Sequence, residues 1–323
     1  MHPTPCPEPP ARAPPRPGAA PGVGNIAAVT TSSRAAAPAA GLGLVPALLG
    51  LVRFSHTIFA LPFAFAAAVM ARMEVPRAAV LWWITIAMIG ARSLAMALNR
   101  LIDADIDARN PRTAAREIPS GRLTVAQVAG FCAVSLAVLL LAVSQLPRET
   151  WVLWPIPVAA FVIYPFTKRY TWLCHIALGL TIGLAPVGAW LAVTGELSAA
   201  PLLLGLAVAC WIAGFDIIYA LLDLEFDRAA GIHSIPARFG AAEALWVTRG
   251  LHAAALGLLV AAGLAAGAGA VYMVGVAVCG AVLAYENTIV GPRDTSRVSV
   301  AFAQSNGLLA VVFLIFTLLE VTL

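Results

Sequence analysis

The sequence predicts an all-α membrane protein, with nine transmembrane helices in one bundle. Three observations carry that reading. Of 323 residues, 61% are hydrophobic and 11% are charged, against roughly 25% charged in a soluble domain, and the mean hydropathy is +0.89. The apolar residues gather into runs long enough to cross a bilayer, which takes about 20 residues per helix. No alternating segments of about ten residues occur, so helices are the only spanning element available.

In chain order the runs are 46–71, 79–101, 124–145, 150–167, 172–194, 200–222, 242–265, 268–288 and 300–320. The seventh and eighth are separated only by the small-residue turn from Gly263 to Gly269. Residues 1–45 differ: Pro, Ala and Arg crowd Met1 to Pro21, Gly and Ala continue to Leu44, and no continuous apolar stretch follows a basic start. This segment reads as a disordered tail, or as an over-long gene start, and is expected to carry no chemistry. The working domain is therefore 46–323. Of five cysteines, Cys6, Cys132, Cys174, Cys210 and Cys279, none is spaced C-x-x-C and four lie in apolar runs, as small buried hydrophobes do.

Charge placement gives an orientation. Loops after the even-numbered runs hold Arg109, Arg112, Arg116, Arg122, Lys168, Arg169, Arg228, Arg238, Arg293 and Arg297; those after odd-numbered runs hold Arg72, Arg77 and Arg148. Ten against three places the even loops and the amino terminus in the cytoplasm of a multi-pass inner (plasma) membrane protein. The net charge of +4 is spread over short loops, not a patch, so no nucleic-acid partner is expected. No obligate protein partner is indicated.

Two acidic clusters interrupt the apolar pattern: Asn99-x-x-x-Asp103-x-x-x-Asp107 and Asp216-x-x-Tyr219-x-x-x-Asp223-x-x-x-Asp227. Tyr219, Asp223 and Asp227 repeat the spacing of Asn99, Asp103 and Asp107 after 120 residues. A Pro-containing turn follows each: Ile118-Pro119-Ser120-Gly121-Arg122 and Ile235-Pro236-Ala237-Arg238. This pseudo-repeat suggests two halves around one central cavity, capped by the cytoplasmic inter-helix loops. Residues four apart share a helix face, so each cluster forms one stripe; Asp105, about 200° from Asp103, and Glu225 point elsewhere. Carboxylates at the edge of an apolar bundle mark a functional site by default. One such cluster alone is accounted for by pairing with Arg100, Arg109 or Arg228; two in matched repeats point to divalent cations. Mg²⁺ takes one or two carboxylates, waters and phosphate oxygens, which implies a diphosphate bridged by metal.

A diphosphate also needs cations. Lys168 and Arg169, in Tyr164-Pro165-Phe166-Thr167-Lys168-Arg169, and Arg116 and Arg122 lie on the same membrane side as the acids. Taken singly they read as ordinary positive-inside anchors. Arg53 lies within the first run; it either snorkels to the interface or faces the cavity and binds an acidic aromatic substrate or phosphate. His56 is similarly open.

Assembled, these motifs resemble the UbiA superfamily of intramembrane prenyltransferases from about Leu51 to the carboxyl terminus. Asn99-Arg100-x-x-Asp103-x-x-x-Asp107 is similar to its first motif, Asp216-x-x-Tyr219-Ala220-x-x-Asp223-x-x-x-Asp227-x-x-x-Gly231-x-x-Ser234 to its second, and Tyr164-Pro165-x-x-Lys168-Arg169 to its loop. The resemblance implies that Asn99, Asp103, Asp107, Asp223 and Asp227 hold Mg²⁺ on a polyprenyl diphosphate. It further implies that Lys168, Arg169 and Arg116 neutralise the leaving group, and that Tyr219, Tyr164 and Phe54 shield the prenyl cation. Asp216 orients Tyr219 or accepts a proton. Phe54-Ser55-His56-Thr57-Ile58-Phe59-Ala60-Leu61-Pro62-Phe63 resembles the quinone-pathway branch, whose acceptors are 4-hydroxybenzoate, favoured here, or 1,4-dihydroxy-6-naphthoate. Arg100 departs from the Asp of many members and removes one metal ligand. An ion-coupled transporter is the competing class; it requires acids near the bilayer midplane in broken helices, whereas these clusters sit at span ends.

Overall fold

A computed structural model describes residues 43–52, 60–298 and 301–323. Arg53, Phe54 and His56 lie outside the described residues, as does nearly all of the amino-terminal segment. The described residues contain fourteen α-helices and no strand. They are α1 (Leu44–Val52), α2 (Ala60–Met70), α3 (Ala78–Ile102), α4 (Ala104–Arg109), α5 (Val125–Val143), α6 (Arg148–Leu153), α7 (Pro155–Thr167), α8 (Cys174–Thr194), α9 (Ala199–Ala220), α10 (Leu224–Ala230), α11 (Ile235–Phe239), α12 (Ala241–Ala266), α13 (Ala270–Ile289) and α14 (Asn306–Thr322).

Seven helical stretches are long and apolar enough to cross a membrane: Ala78–Ile102, Val125–Val143, Arg148–Thr167, Cys174–Thr194, Ala199–Ala230, Ala241–Ala266 and Ala270–Ile289. They coincide with the second to eighth of the nine expected spans. The first and ninth differ. At the first run the described helices are α1 and the 11-residue α2, and the last run is the 17-residue α14, entered through a π-helical turn at Ala301–Ser305.

Local signals set the helix ends. The Thr124 hydroxyl accepts the Gln127 N–H at 3.2 Å and the Gln127 side chain accepts the Thr124 N–H at 2.8 Å, a reciprocal cap that starts α5. Gly195 and Gly267, both with positive φ, end α8 and α12.

The core runs through α2, α8, α9, α12, α13 and α14, with Phe63 stacked on Phe313 at 4.7 Å and tilted on Trp211 at 4.9 Å. Within a membrane, helices associate through close packing, because lipid is as apolar as the side chains. Helices α8 and α9 show this: a Cβ at Gly179 would sit 2.2 Å from the Ala209 carbonyl oxygen, and one at Gly183 would sit 2.4 Å from that of Gly205. Outward, Trp82, Val134, Leu141, Ile163, Leu202, Trp246 and Leu264 stay exposed, an apolar surface suited to lipid and far too extensive for water. A buried polar chain ties the core: Trp211 donates to Asn306 at 2.6 Å and Asn306 to Glu286 at 3.1 Å.

Candidate functional site

The two acidic clusters face one cavity of about 330 Å³. Of the residues singled out by sequence, Asn99, Asp103, Asp107, Arg116, Tyr164, Lys168, Asp216, Tyr219, Asp223 and Asp227 all line it. Arg169 does not. It pairs with Asp105 at 2.9 Å, reaches the Ile102 carbonyl, and stays 4.0 Å from Asp103. Its guanidinium holds the exposed Asp105 carboxyl below the ordinary carboxylate range. Asp105 and Glu225 are off the cavity, as their helical positions require. Arg122 also stays away, donating to the Ala115 carbonyl at 2.7 Å and to Glu117.

The clusters are not continuous helical stripes. Helix α3 ends at Ile102 and α4 restarts at Ala104, with Asp103 between them at φ −95°, ψ 2°. Helix α9 ends at Ala220, a 3₁₀ turn covers Leu221–Asp223, and α10 starts at Leu224, with Asp223 at φ −109°, ψ 4°. Both middle aspartates thus sit in the same bridge conformation, one where many active-site residues are found. The four-residue step survives because the backbone bonds cross the break: Asp103 N–H to the Asn99 carbonyl at 3.0 Å, and Asp107 N–H to the Asp103 carbonyl at 2.8 Å.

Each carboxylate is engaged. Asp103 accepts from Lys168 Nζ at 2.7 Å and from the Asn99 amide at 2.9 Å. Burial pushes its carboxyl above the ordinary range, opposed by Lys168 and reinforced by the neighbouring Asp107. Asp107 accepts two contacts from Arg116, at 2.6 and 2.7 Å, with Arg100 at 3.9 Å. Asp223 accepts from Asn110 at 2.9 Å and from both arms of Arg112, whose Nε lies at 2.8 Å. Arg112 also donates to the Tyr219 hydroxyl at 3.0 Å, and its guanidinium lies over that ring, 5.2 Å from the centroid. Asp227 accepts from the Ser234 hydroxyl at 3.0 Å, and Asp216 is paired with His175 at 2.7 Å.

Five carboxylates (Asp103, Asp107, Asp216, Asp223, Asp227) and five Lys or Arg side chains (Arg92, Arg100, Arg112, Arg116, Lys168) line the cavity, with His175 and His233. Among the described residues no three His, Cys, Asp or Glu side chains converge closely enough to form a metal cage by themselves. The donor set does fit Mg²⁺, which needs only one or two carboxylates alongside water and phosphate oxygen. Asp103 Oδ1 is buried and without a hydrogen-bond partner, which fits an oxygen left open to a ligand.

Sequence reasoning missed Asn110 and Arg112 as partners of Asp223, and His175 as the partner of Asp216. Arg112 was visible as one basic loop residue among several. Nothing in its spacing connects it to an acid 111 residues away. Arg92 was also missed, although it lies seven residues before Asn99, on the same face of α3, and an arginine inside a span is a functional signal.

The UbiA prenyltransferase family matches residues 60–316. A 4-hydroxybenzoate octaprenyltransferase of Aromatoleum aromaticum is 32% identical over 228 residues, 69% of this chain and 75% of that one. The mitochondrial 4-hydroxybenzoate polyprenyltransferase of Arabidopsis thaliana is 34% identical over 206 residues, 64% of this chain; the match spans 50% of that longer protein. Among solved structures, the apo form of a UbiA homolog from Aeropyrum pernix K1 is 31% identical, with TM-score 0.70 over 81% of this chain and 95% of that one. A UbiA homolog from Archaeoglobus fulgidus, bound to DMAPP and Mg²⁺, shares the fold at 19% identity, with TM-score 0.67 over 85% of this chain and 99% of that one.

Proposed function

The chain belongs to the UbiA prenyltransferase family, and from that premise we propose that it transfers a polyprenyl group from polyprenyl diphosphate to an aromatic acceptor, 4-hydroxybenzoate, with Mg²⁺ as its metal. The observation that carries this reading is the meeting of both acidic clusters in one cavity with Lys and Arg side chains set among them. Such a cavity suits a ligand in which anion and cation arrive together, as a diphosphate with divalent metal does. The names of the relatives support the acceptor.

Asn99, Asp103, Asp107, Asp223 and Asp227 would hold the metal, directly or through water. When bound, it stabilises the negative charge that develops on the leaving diphosphate. Lys168, Arg116 and Arg112 are held on Asp103, Asp107 and Asp223, poised to turn to phosphate oxygens. Arg112 replaces Arg169 as the third cation, since Arg169 is spent on Asp105. The allylic C–O bond breaks with its electron pair leaving on the diphosphate, the ring carbon of the acceptor bonds to the prenyl carbon, and a ring proton is lost. Tyr219 and Tyr164 shield the developing prenyl cation. The Tyr219 face already carries the Arg112 guanidinium, so it is electrostatically suited to positive charge. Arg53 is a further candidate contact for the acceptor.

The reading places the cavity mouth on the cytoplasmic side of the inner membrane, with the amino terminus inside. It assigns α2 (with the residues before it) and α14 as the first and ninth spans, and gives residues 1–45 no chemistry. The test is product mass spectrometry on membranes containing the protein, supplied with a polyprenyl diphosphate and either 4-hydroxybenzoate or 1,4-dihydroxy-6-naphthoate. The expected result is a prenylated benzoate that forms with Mg²⁺ and disappears with chelator. Product from the naphthoate alone would move the acceptor assignment; product from neither would overturn the function.

A further inference from the structure

His175 lies at the start of α8 and is 3% exposed. Its Nδ1 is 2.7 Å from Asp216 Oδ2 on α9. Its Nε2 is buried and has no hydrogen-bond partner, and both residues line the cavity. A histidine that only ties two helices together needs one nitrogen. A second, desolvated nitrogen left unpaired is destabilising. Nor is the tie needed for packing, since Gly179, Gly183 and Gly205 already bring α8 and α9 into backbone contact. The unpaired nitrogen therefore asks for a ligand atom.

Its position identifies the ligand. Asp216 precedes Asp223 by seven residues on nearly continuous helix, which is about 10 Å at 1.5 Å per residue. The diphosphate end of the cavity is marked by Asp103, Asp223 and Lys168. The pair lines the same cavity beside the apolar residues Leu178, Ile182 and Phe215. The prenyl carbon under attack is itself bonded to the diphosphate, so an aromatic ring attacking it lies against this neighbouring wall and can set its oxygen on His175. A carboxylate on Nδ1 fixes the ring's orientation, and Nε2 meets a phenolic oxygen in either protonation state: neutral, it accepts the O–H; charged, it donates to a phenolate.

We propose that His175 Nε2, with its ring positioned by Asp216, binds the hydroxyl oxygen of the aromatic acceptor and selects phenols over their ethers. This rests on the aromatic-acceptor function above. The experiment compares wild type, His175→Ala, His175→Gln and Asp216→Asn in membranes, each with 4-hydroxybenzoate and with 4-methoxybenzoate, at saturating polyprenyl diphosphate. Wild type is expected to prefer the phenol by at least about tenfold in kcat/KM, as a site built to pair a hydroxyl does. His175→Ala should raise the KM for 4-hydroxybenzoate at least tenfold, leave the KM for polyprenyl diphosphate within about threefold, and reduce the phenol preference to near one. His175→Gln, which keeps a polar tip, should retain part of it, and covers the case in which the alanine variant does not insert. Asp216→Asn should weaken the preference without abolishing it. If wild type is active and His175→Ala or His175→Gln keeps the full preference, the assignment is overturned while the function stands. If wild type prenylates neither benzoate, the 4-hydroxybenzoate assignment on which the proposal rests fails.

Discussion

Asp103 and Asp223 occupy equivalent places in the two halves, at matching backbone angles, each holding a base at the cavity. Arg112 is the most connected of these bases, joining Asp223 and Tyr219. Arg112→Ala is expected to raise the KM for polyprenyl diphosphate about ten- to a hundredfold, the range that follows from losing a charge-assisted hydrogen bond of ~1.5–3 kcal/mol, with the acceptor KM little changed; steady-state kinetics with each substrate varied checks it. The acids were legible in the sequence because carboxylates stand out against an apolar background and four-residue steps report a shared face. Their partners were not. Asn110 and Arg112 reach Asp223, and His175 reaches Asp216, across separations of 41 to 113 residues, and no local period encodes such contacts. Arg169 differs from its neighbour: Lys168 lines the cavity, while one residue further along the loop the side chain turns to Asp105.

At the scale of the helix, spacing predicted the faces but not the breaks. A single bridge-region residue leaves the flanking hydrogen bonds in place, so α3–α4 and α9–α10 read as unbroken runs. Most of the middle spans were legible because each is built on a long apolar helix; the reciprocal cap at Thr124 and the glycines at 195 and 267 mark three of their ends. Helices α8 and α9 carry His175 and Asp216 and meet backbone to backbone at Gly183 and Gly205. Gly183→Leu would drive a side chain into a carbonyl oxygen, not into a flexible side chain that can yield. The expected cost is at least the ~1–3 kcal/mol of core overpacking, seen as a lower melting temperature in detergent. Turnover should fall with it, because His175 and Asp216 are held across that same contact.

For the whole molecule, the pseudo-repeat means that neither half alone makes the site. Asn99, Asp103 and Asp107 come from α3 and α4; Tyr219, Asp223 and Asp227 come from α9 and α10, with Lys168 following α7. Apolar side chains point outward, and the cavity sets carboxylates beside Lys and Arg, so its charge is held where the bundle shields it. Residues that act as one unit lose activity together. The direct test is turnover of polyprenyl diphosphate with Mg²⁺ by Asp103→Ala, Asp223→Ala and the double variant, each shown to insert in membranes. The account predicts that either single change abolishes turnover, and that the double variant is no worse than either. Near-normal turnover in either inserted single variant would contradict a single diphosphate–metal clamp built from both halves.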